Sequence, residues 1–256
     1  MNFNNTPIII KGSDQKKILV VIGDEHIDTH YGRIDSSKIT KLPMAIKTSN
    51  ESTVLLYKPS YREFVLNMKR GPQIIYPKDV ASILVDGNIW NDSVVLEIGS
   101  GTGALTLALV LSVGENGYVY SVDNNSKNQR RASKTISRFL NSKDLNVNNF
   151  EFIHNEAEDL PVSEINKIIT HVVTDIPEPW HIVTKLDIGT ELKWISFLPN
   201  ITQVQILNET LVSSGYTNIY IKEIIEREWK VKDKIVRPVH NITGHTGFLV
   251  FADHLV

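Results

Sequence analysis

Cysteine is absent from all 256 residues. Disulfides, thiolate catalysis and cysteine-ligated zinc are thereby excluded, and a chain without thiols suits a reducing cytoplasm. Long apolar runs are also missing. The longest, Ala104 to Val113, is broken by Thr106 and Ser112 and falls short of the roughly 20 residues that span a bilayer. The stretch from Met1 to Gly23 does not read as a signal peptide, because Ile8-Ile9-Ile10 and Ile18 to Ile22 are short and separated by Lys11, Asp14, Lys16 and Lys17. Charge of one sign is lacking too: 27 Lys and Arg stand against 29 Asp and Glu, a formal net charge of -2. Nothing pulls the whole chain toward a polyanion, so any such contact must come from a local basic patch or from surfaces pooled in an oligomer. There are no internal repeats and no low-complexity linker. What remains is ordinary for a globular chain, 41% hydrophobic and 22% charged, and long enough to bury a core in one large domain or in a medium and a small one.

Residues 1 to about 65 read as short strands and turns, a small all-β domain. Ile18 to Ile22 is apolar and β-branched and is closed by Gly23-Asp24, and Val54 to Tyr57 is followed by Lys58-Pro59-Ser60. From about residue 66 to the end, strand-like and helix-like runs alternate. The predicted strands are Val94 to Ile98, Tyr118 to Val122, Phe150 to Ile153, Val172 to Thr174 and Trp194 to Leu198. Between them, Gly103 to Val113 and Ser126 to Leu140 read as helices, the second with Ala132, Ile136, Phe139 and Leu140 on one face. Such alternation implies a parallel sheet covered on both faces. The end departs from it: Ile219 to Val231 and Gly247 to Ala252 both read as strands with no long helix between them. That predicts an antiparallel pair at one sheet edge, as in the common methyltransferase fold and unlike the fully parallel dinucleotide fold.

The first predicted strand of the α/β region runs into Gly99-Ser100-Gly101-Thr102-Gly103 and then into a helix. Glycines without a Cβ let the backbone turn sharply and approach a ligand, and the free N–H groups of the following helix point at it. Dinucleotide enzymes use a related layout. Glu97 just before the first glycine, and alanine at 104 where the third glycine of that layout falls, favour S-adenosylmethionine instead. Asp123 ends the next strand, where an acidic residue either accepts ribose hydroxyls or caps the helix near Ser126. After the third strand, Glu156 is either an acceptor for the cofactor's adenine amine or a solvated loop charge.

After the fourth strand comes Asp175-Ile176-Pro177-Glu178-Pro179-Trp180. Open α/β sheets bind ligands at the carboxyl ends of their strands. Two prolines stiffen the wall beside the carboxylate, and Trp180 offers an apolar face for packing or base stacking. A carboxylate there can hydrogen-bond an exocyclic amine and take up charge as a ring nitrogen is alkylated; capping the chain is the alternative use. Arg227 to His240 holds Arg227, Lys230, Lys232, Lys234 and Arg237 against Glu228 and Asp233. It reads either as a phosphate-binding segment or as charge alternation along an exposed strand.

Four blocks together carry a resemblance: Arg70 to Asp79, the glycine loop from Glu97 to Leu105, Asp175 to Trp180, and Arg227-Glu228-Trp229 with Arg237-Pro238 and Gly244 to Leu249. On them the chain resembles the tRNA adenine-N1 methyltransferases that act at position 58 of the T-loop. The likeness covers residue 70 to the C-terminus, and residues 1–65 match more loosely. It implies a seven-stranded, mostly parallel Rossmann-like class I methyltransferase domain over residues 66–256, with a C-terminal antiparallel hairpin, preceded by the β domain and assembled as a homotetramer. It implies S-adenosyl-L-methionine as cofactor, tRNA as partner, and neither metal nor membrane. By that likeness Asp175 engages the target adenine and Tyr76 lies near the flipped base. Gln73, Ser100, Gly101 and Thr102 line the methionine part of the cofactor, Glu97, Asp123 and Glu156 hold the rest, and Gly99, Gly103 and Asp175 are further cofactor contacts. Trp180, Arg237 and His245 are candidate substrate contacts. Asp123-Asn124-Asn125 and His154-Asn155-Glu156 depart from the family's usual residues. A methyltransferase for another RNA, a protein or a small molecule, or a non-catalytic tRNA-binding subunit, are the alternative readings.

Overall fold

The computed structural model describes residues 3–68, 73–160, 165–186, 191–232, 234–240, 242 and 244–255. Arg70, Gly71, Pro72 and Asp233 of the sequence blocks lie outside them. The chain forms two compact units: Met1–Pro72 with Ser133–Asn148, and Gln73–Ala132 with Asn149–Val256.

In chain order the first unit contains β1 (Pro7–Lys11), β2 (Lys17–Val21), β3 (His26–Thr29), β4 (Gly32–Asp35), β5 (Met44–Lys47), β6 (Thr53–Tyr57) and α1 (Tyr61–Leu66). Four strands pair antiparallel in the order β2-β1-β6-β5, and β3 and β4 form a separate hairpin. Ile8, Ile10, Ile22, Ile27, Ile34, Ile39, Val54 and Leu56 make its core. The helix α1 corrects the expectation of strands and turns alone up to residue 65. Six residues are too few to show a helical period, but Ser60 and Glu63 form a reciprocal capping box, which satisfies two otherwise orphaned N–H groups.

The second unit holds α2 (Pro77–Asp86), β7 (Val94–Ile98), α3 (Ala104–Ser112), β8 (Tyr118–Val122), the start of α4 (Ser126–Ser142), β9 (Phe150–Ile153), β10 (His171–Thr174), α5 (Trp180–Val183), β11 (Leu192–Leu198), α6 (Ile201–Ser213), β12 (Thr217–Lys222), β13 (Trp229–Lys232), β14 (Ile235–Pro238) and β15 (Phe248–His254). Seven strands form one sheet in the order β12-β15-β11-β10-β7-β8-β9. The run from β11 to β9 is parallel, while β15 pairs antiparallel with both β11 and β12. This is the α/β architecture expected. Every residue of β7 is buried, as a central strand covered on both faces requires. Trp194 is fully buried in β11, its indole N–H donating to the Ser196 hydroxyl at 2.8 Å. Ala132, Ile136, Phe139 and Leu140 of α4 are buried as the period foretells.

The expected antiparallel pair stands at one sheet edge as β12 and β15, but the bounds of its first strand need correction. Ile219 to Val231 is two elements: β12 ends at Lys222 and pairs with β15, whereas β13 pairs with β14 in a two-stranded ribbon of its own. Strand propensity favours extended backbone but does not choose the partner. The edge strand is β12, with β15 inside the sheet.

Gly103, at φ +78°, precedes α3, and a Cβ there would lie 2.6 Å from Ala132 Cα in α4. Gly103→Ala therefore combines left-handed strain with overpacking. It is expected to cost about 2 kcal/mol or more, read as a lowered denaturation midpoint; an unchanged midpoint would mean the contact relaxes freely.

Candidate active site

The carboxyl ends of β10, β7, β8 and β9 lie side by side, so the chain leaves four neighbouring strands at one edge. Gly99 and Gly101 adopt φ +103° and +49°, the left-handed region that glycine enters without steric cost. A Cβ at Gly99 would sit 2.6 Å from the Asp175 carbonyl oxygen, whereas one at Gly101 would meet nothing within 4 Å. The loop is thus closed against Asp175 on one side and open on the other. The Gly101 N–H donates to Asp123 Oδ2 at 3.1 Å. Ser100 and Thr102 are buried within the turn, and the Ser100 and Ser121 hydroxyls are 2.7 Å apart.

Glu97 is fully buried. Its Oε2 accepts hydrogen bonds from Thr106 Oγ1 at 2.6 Å and Ser121 Oγ at 2.5 Å. Its Oε1 is buried with no partner among the described residues. Burial pushes the carboxyl up to about 8; the two hydroxyls oppose the shift, and the negative charges of Asp175 and Asp123 add to it. Desolvation likewise raises Asp175 to about 6, although part of its surface stays open. A site where burial and like charge both penalise carboxylates is suited to a positively charged ligand.

Asp123 follows β8 and accepts from Gly101 N, from Asn125 N at 2.8 Å and from Asn128 Nδ2 at 3.2 Å. Asn125, not Asp123, accepts from Lys127 N in the first turn of α4, so the capping alternative for Asp123 passes to Asn125. Glu156 is exposed beyond β9 and accepts from Asn124 Nδ2 at 2.9 Å.

The segment after β10 is tied down from α6: Gln203 Nε2 donates to the Pro177 carbonyl at 2.9 Å. That bond orients the amide and leaves Gln203 Oε1 buried without a donor among the described residues. Trp180 starts α5 half-buried and packs on the core. His245 reaches the same edge, because its Nε2 is 3.1 Å from the carbonyl of Pro199, just past β11, and its Nδ1 is 2.8 Å from Glu223 Oε2. Both partners are acceptors, which favours the doubly protonated ring and raises the pKa of His245, chiefly through Glu223. Tyr76 precedes α2, and Gln73 is exposed just ahead of it. Lys78 Nζ, 2.8 Å from Asp79 Oδ1, also donates to Thr246 Oγ1, which donates to Asp79 Oδ2 at 2.7 Å. This part-buried triad fastens the start of α2 to the segment carrying His245.

Glu97, the glycine turn, Asp123 and Asp175 are therefore brought together, with Glu156 one loop farther along. Arg237 is not: it is exposed on β14, with His240 its polar partner among the described residues. Sequence reasoning missed Thr106, Ser121, Asn128 and Gln203. Ser121 interrupts an apolar strand, but only the register that sets Glu97 beside it reveals its role.

A parallel sheet closed by an antiparallel strand pair, with a glycine turn and carboxylates at one carboxyl edge, defines an S-adenosylmethionine-dependent methyltransferase fold. A solved SAM-dependent O-methyltransferase from Thermotoga maritima shares it, with TM-score 0.88 at 23% identity, covering 98% of this chain and 94% of that one. The chain belongs to the tRNA methyltransferase complex GCD14 subunit family, whose model matches residues 53–237. It is 28% identical over 257 residues to the tRNA (adenine(57)-N(1)/adenine(58)-N(1))-methyltransferase TrmI of Methanocaldococcus jannaschii, covering 93% of this chain and 91% of that relative. The crystal structure of the tRNA (m1A58) methyltransferase TrmI from Aquifex aeolicus matches with TM-score 0.81 at 26% identity, over 99% and 98% of the two chains.

The raised Glu97 carboxyl has a defined pH consequence. Unfolding lets it ionise near 4.5, whereas the folded protein holds its proton to about 8. The associated stability is full below pH about 4.5 and is lost as pH rises through about 8. Glu97→Gln removes that dependence. Between pH 5 and 8 the native protein should lose on the order of 3 kcal/mol relative to the variant, measured by denaturant melts at both pH values; parallel losses in the two proteins would refute the assignment.

Proposed function

We propose that this chain transfers a methyl group from S-adenosyl-L-methionine to N1 of adenine 58 in tRNA. The observation that carries the reading is the close approach of the Asp175 backbone to Gly99, which sets a raised-pKa carboxylate beside an open glycine turn. Family membership and the tRNA substrates named for the relatives support it.

The residues fit the cofactor. The open face at Gly101 leaves room for a ligand, Glu97 Oε1 is a buried polar atom with no partner among the described residues, and the charges of Asp123 and Asp175 favour a cation. Gln73, Ser100, Gly101 and Thr102 would hold the methionine part, Gly99 and Gly103 the turn itself, and Glu97, Asp123 and Glu156 the nucleoside part. When bound, the sulfonium supplies an activated methyl, so no metal is called for. Asp175 accepts a hydrogen bond from the adenine N6 amine and stabilises the positive charge that the ring gains on N1 alkylation. Extruding the base costs a few kcal/mol, and stacking on Tyr76 or Trp180 returns about 1–3 kcal/mol. His245 lies at the same edge and serves the substrate; Arg237 meets tRNA from the separate ribbon. That ribbon exposes Trp229, Val231, Ile235 and Val236, an apolar surface suited to self-association into the homotetramer we propose. No described helix is long and apolar enough to cross a membrane, and we assign the enzyme to the cytoplasm.

The test is label transfer from methyl-labelled cofactor to unmodified tRNA, with transcripts altered at adenine 58 and at adenine 57. Label lost only with adenine 58 supports the reading, and label appearing in protein or a small molecule instead refutes it. Asp175→Ala should bind cofactor nearly as well as the native chain yet lose about 100-fold or more in turnover; undiminished turnover would remove Asp175 from the chemistry. Because Asp175 must be ionised to accept from the amine and is raised to about 6, kcat/KM of the native enzyme should fall roughly tenfold per pH unit below about 6. Asp175→Asn should flatten that limb.

A further inference from the structure

The longest described helix, α4, carries Lys127, Arg130, Arg131, Lys134 and Arg138 and no aspartate or glutamate in its 17 residues, in a chain whose net charge is -2. All five are exposed, and none forms an ion pair or side-chain hydrogen bond among the described residues. At 3.6 residues per turn they fall within roughly 100° of arc, opposite the buried Ala132, Ile136, Phe139 and Leu140. Two features speak against an ordinary solvated face. Like charges three and four residues apart repel, where stabilised surface helices alternate sign. Lys127 and Arg130 also sit near the helix N-terminus, the end whose dipole disfavours cations. The arrangement works against the helix taken alone and becomes favourable when a polyanion lies along it.

We infer that this face of α4 is a docking surface for the phosphate backbone of the tRNA, separate from the methylation site; this rests on the proposed function. Lys127 to Arg138 spans about 16 Å along the axis, enough to meet several successive phosphates. Such contacts carry no base specificity but position the nucleic acid. The surface accounts for how a chain without net positive charge engages RNA, and it is independent of the ribbon bearing Arg237.

The experiment compares the native enzyme with Lys127→Gln/Arg131→Gln/Lys134→Gln/Arg138→Gln. A control of equal charge change, Lys16→Gln/Lys38→Gln/Lys41→Gln/Lys47→Gln, accompanies it. The α4 variant should raise KM for tRNA about tenfold or more and reduce the slope of log affinity against log salt by about 3. Its kcat at saturating tRNA and its cofactor affinity should stay at native values. The charge-keeping Lys127→Arg/Arg131→Lys/Lys134→Arg/Arg138→Lys protein should retain native KM, which separates loss of charge from loss of fold. Native KM and salt slope in the α4 variant, or equal losses in the control, overturn the inference while the functional reading stands. A changed oligomeric state with tRNA binding intact overturns it in favour of a protein contact. A native enzyme that neither binds nor methylates tRNA overturns both.

Discussion

A side chain at position 99 would have to occupy the space of the Asp175 carbonyl oxygen, 2.6 Å from where its Cβ would stand. The site depends on that contact. It holds the loop after β7 and the segment after β10 against each other, so that groups far apart in the chain share one edge. The hydrogen bond from Asp175 N to the Ile98 carbonyl at 2.9 Å extends the β7–β10 pairing to this point. Glycine is required twice over, by the lack of room and by φ +103°. Two residues on, Gly101 also has a positive φ, and a Cβ there would meet nothing within 4 Å, so the turn is filled at one glycine and open at the other.

Electrostatics then follow from crowding rather than from any single strong pair. Glu97, Asp123 and Asp175 are all acidic and close enough for the latter two to raise the first. In water such a cluster would be solvated separately; here burial removes the solvent and the sheet keeps the groups from moving apart. Thr106 and Ser121 meet one oxygen of Glu97, and the other has no partner among the described residues. A buried polar atom without a partner is costly in a finished core and useful where a ligand completes it. The neighbouring polar contacts are, by comparison, well satisfied: Asp123 has three donors, Pro177 is held by Gln203, and Lys78, Asp79 and Thr246 close on one another.

Much of this was legible in the residues. The apolar β-branched run ending in three glycines announced β7 and its turn, and the face of Ala132, Ile136, Phe139 and Leu140 announced α4. Asp175 followed from the expectation that ligands meet the carboxyl ends of strands. Other features were written in the chain but needed a different cue, as with α1, where Ser60 and Glu63 signalled the helix that six residues could not show by periodicity. The split of Ile219 to Val231 was not legible, since Thr217–Lys222 and Trp229–Lys232 have the same extended preference and differ only in which strand each one meets.

The sequence by itself determined the local conformations and the chemical inventory: where backbone must turn, which faces are apolar, and which carboxylates, hydroxyls and cations exist. Those properties depend on residues within a few positions of one another. Only the tertiary structure decided that Ser121 stands beside Glu97, that Gln203 holds Pro177, that Thr246 joins Lys78 to Asp79, and that Asp123 serves the glycine turn while Asn125 takes the cap. Apart from the local cap, these pairings join residues from 22 to 168 positions apart, and strand order and register, which set them, arise from packing the whole sheet at once.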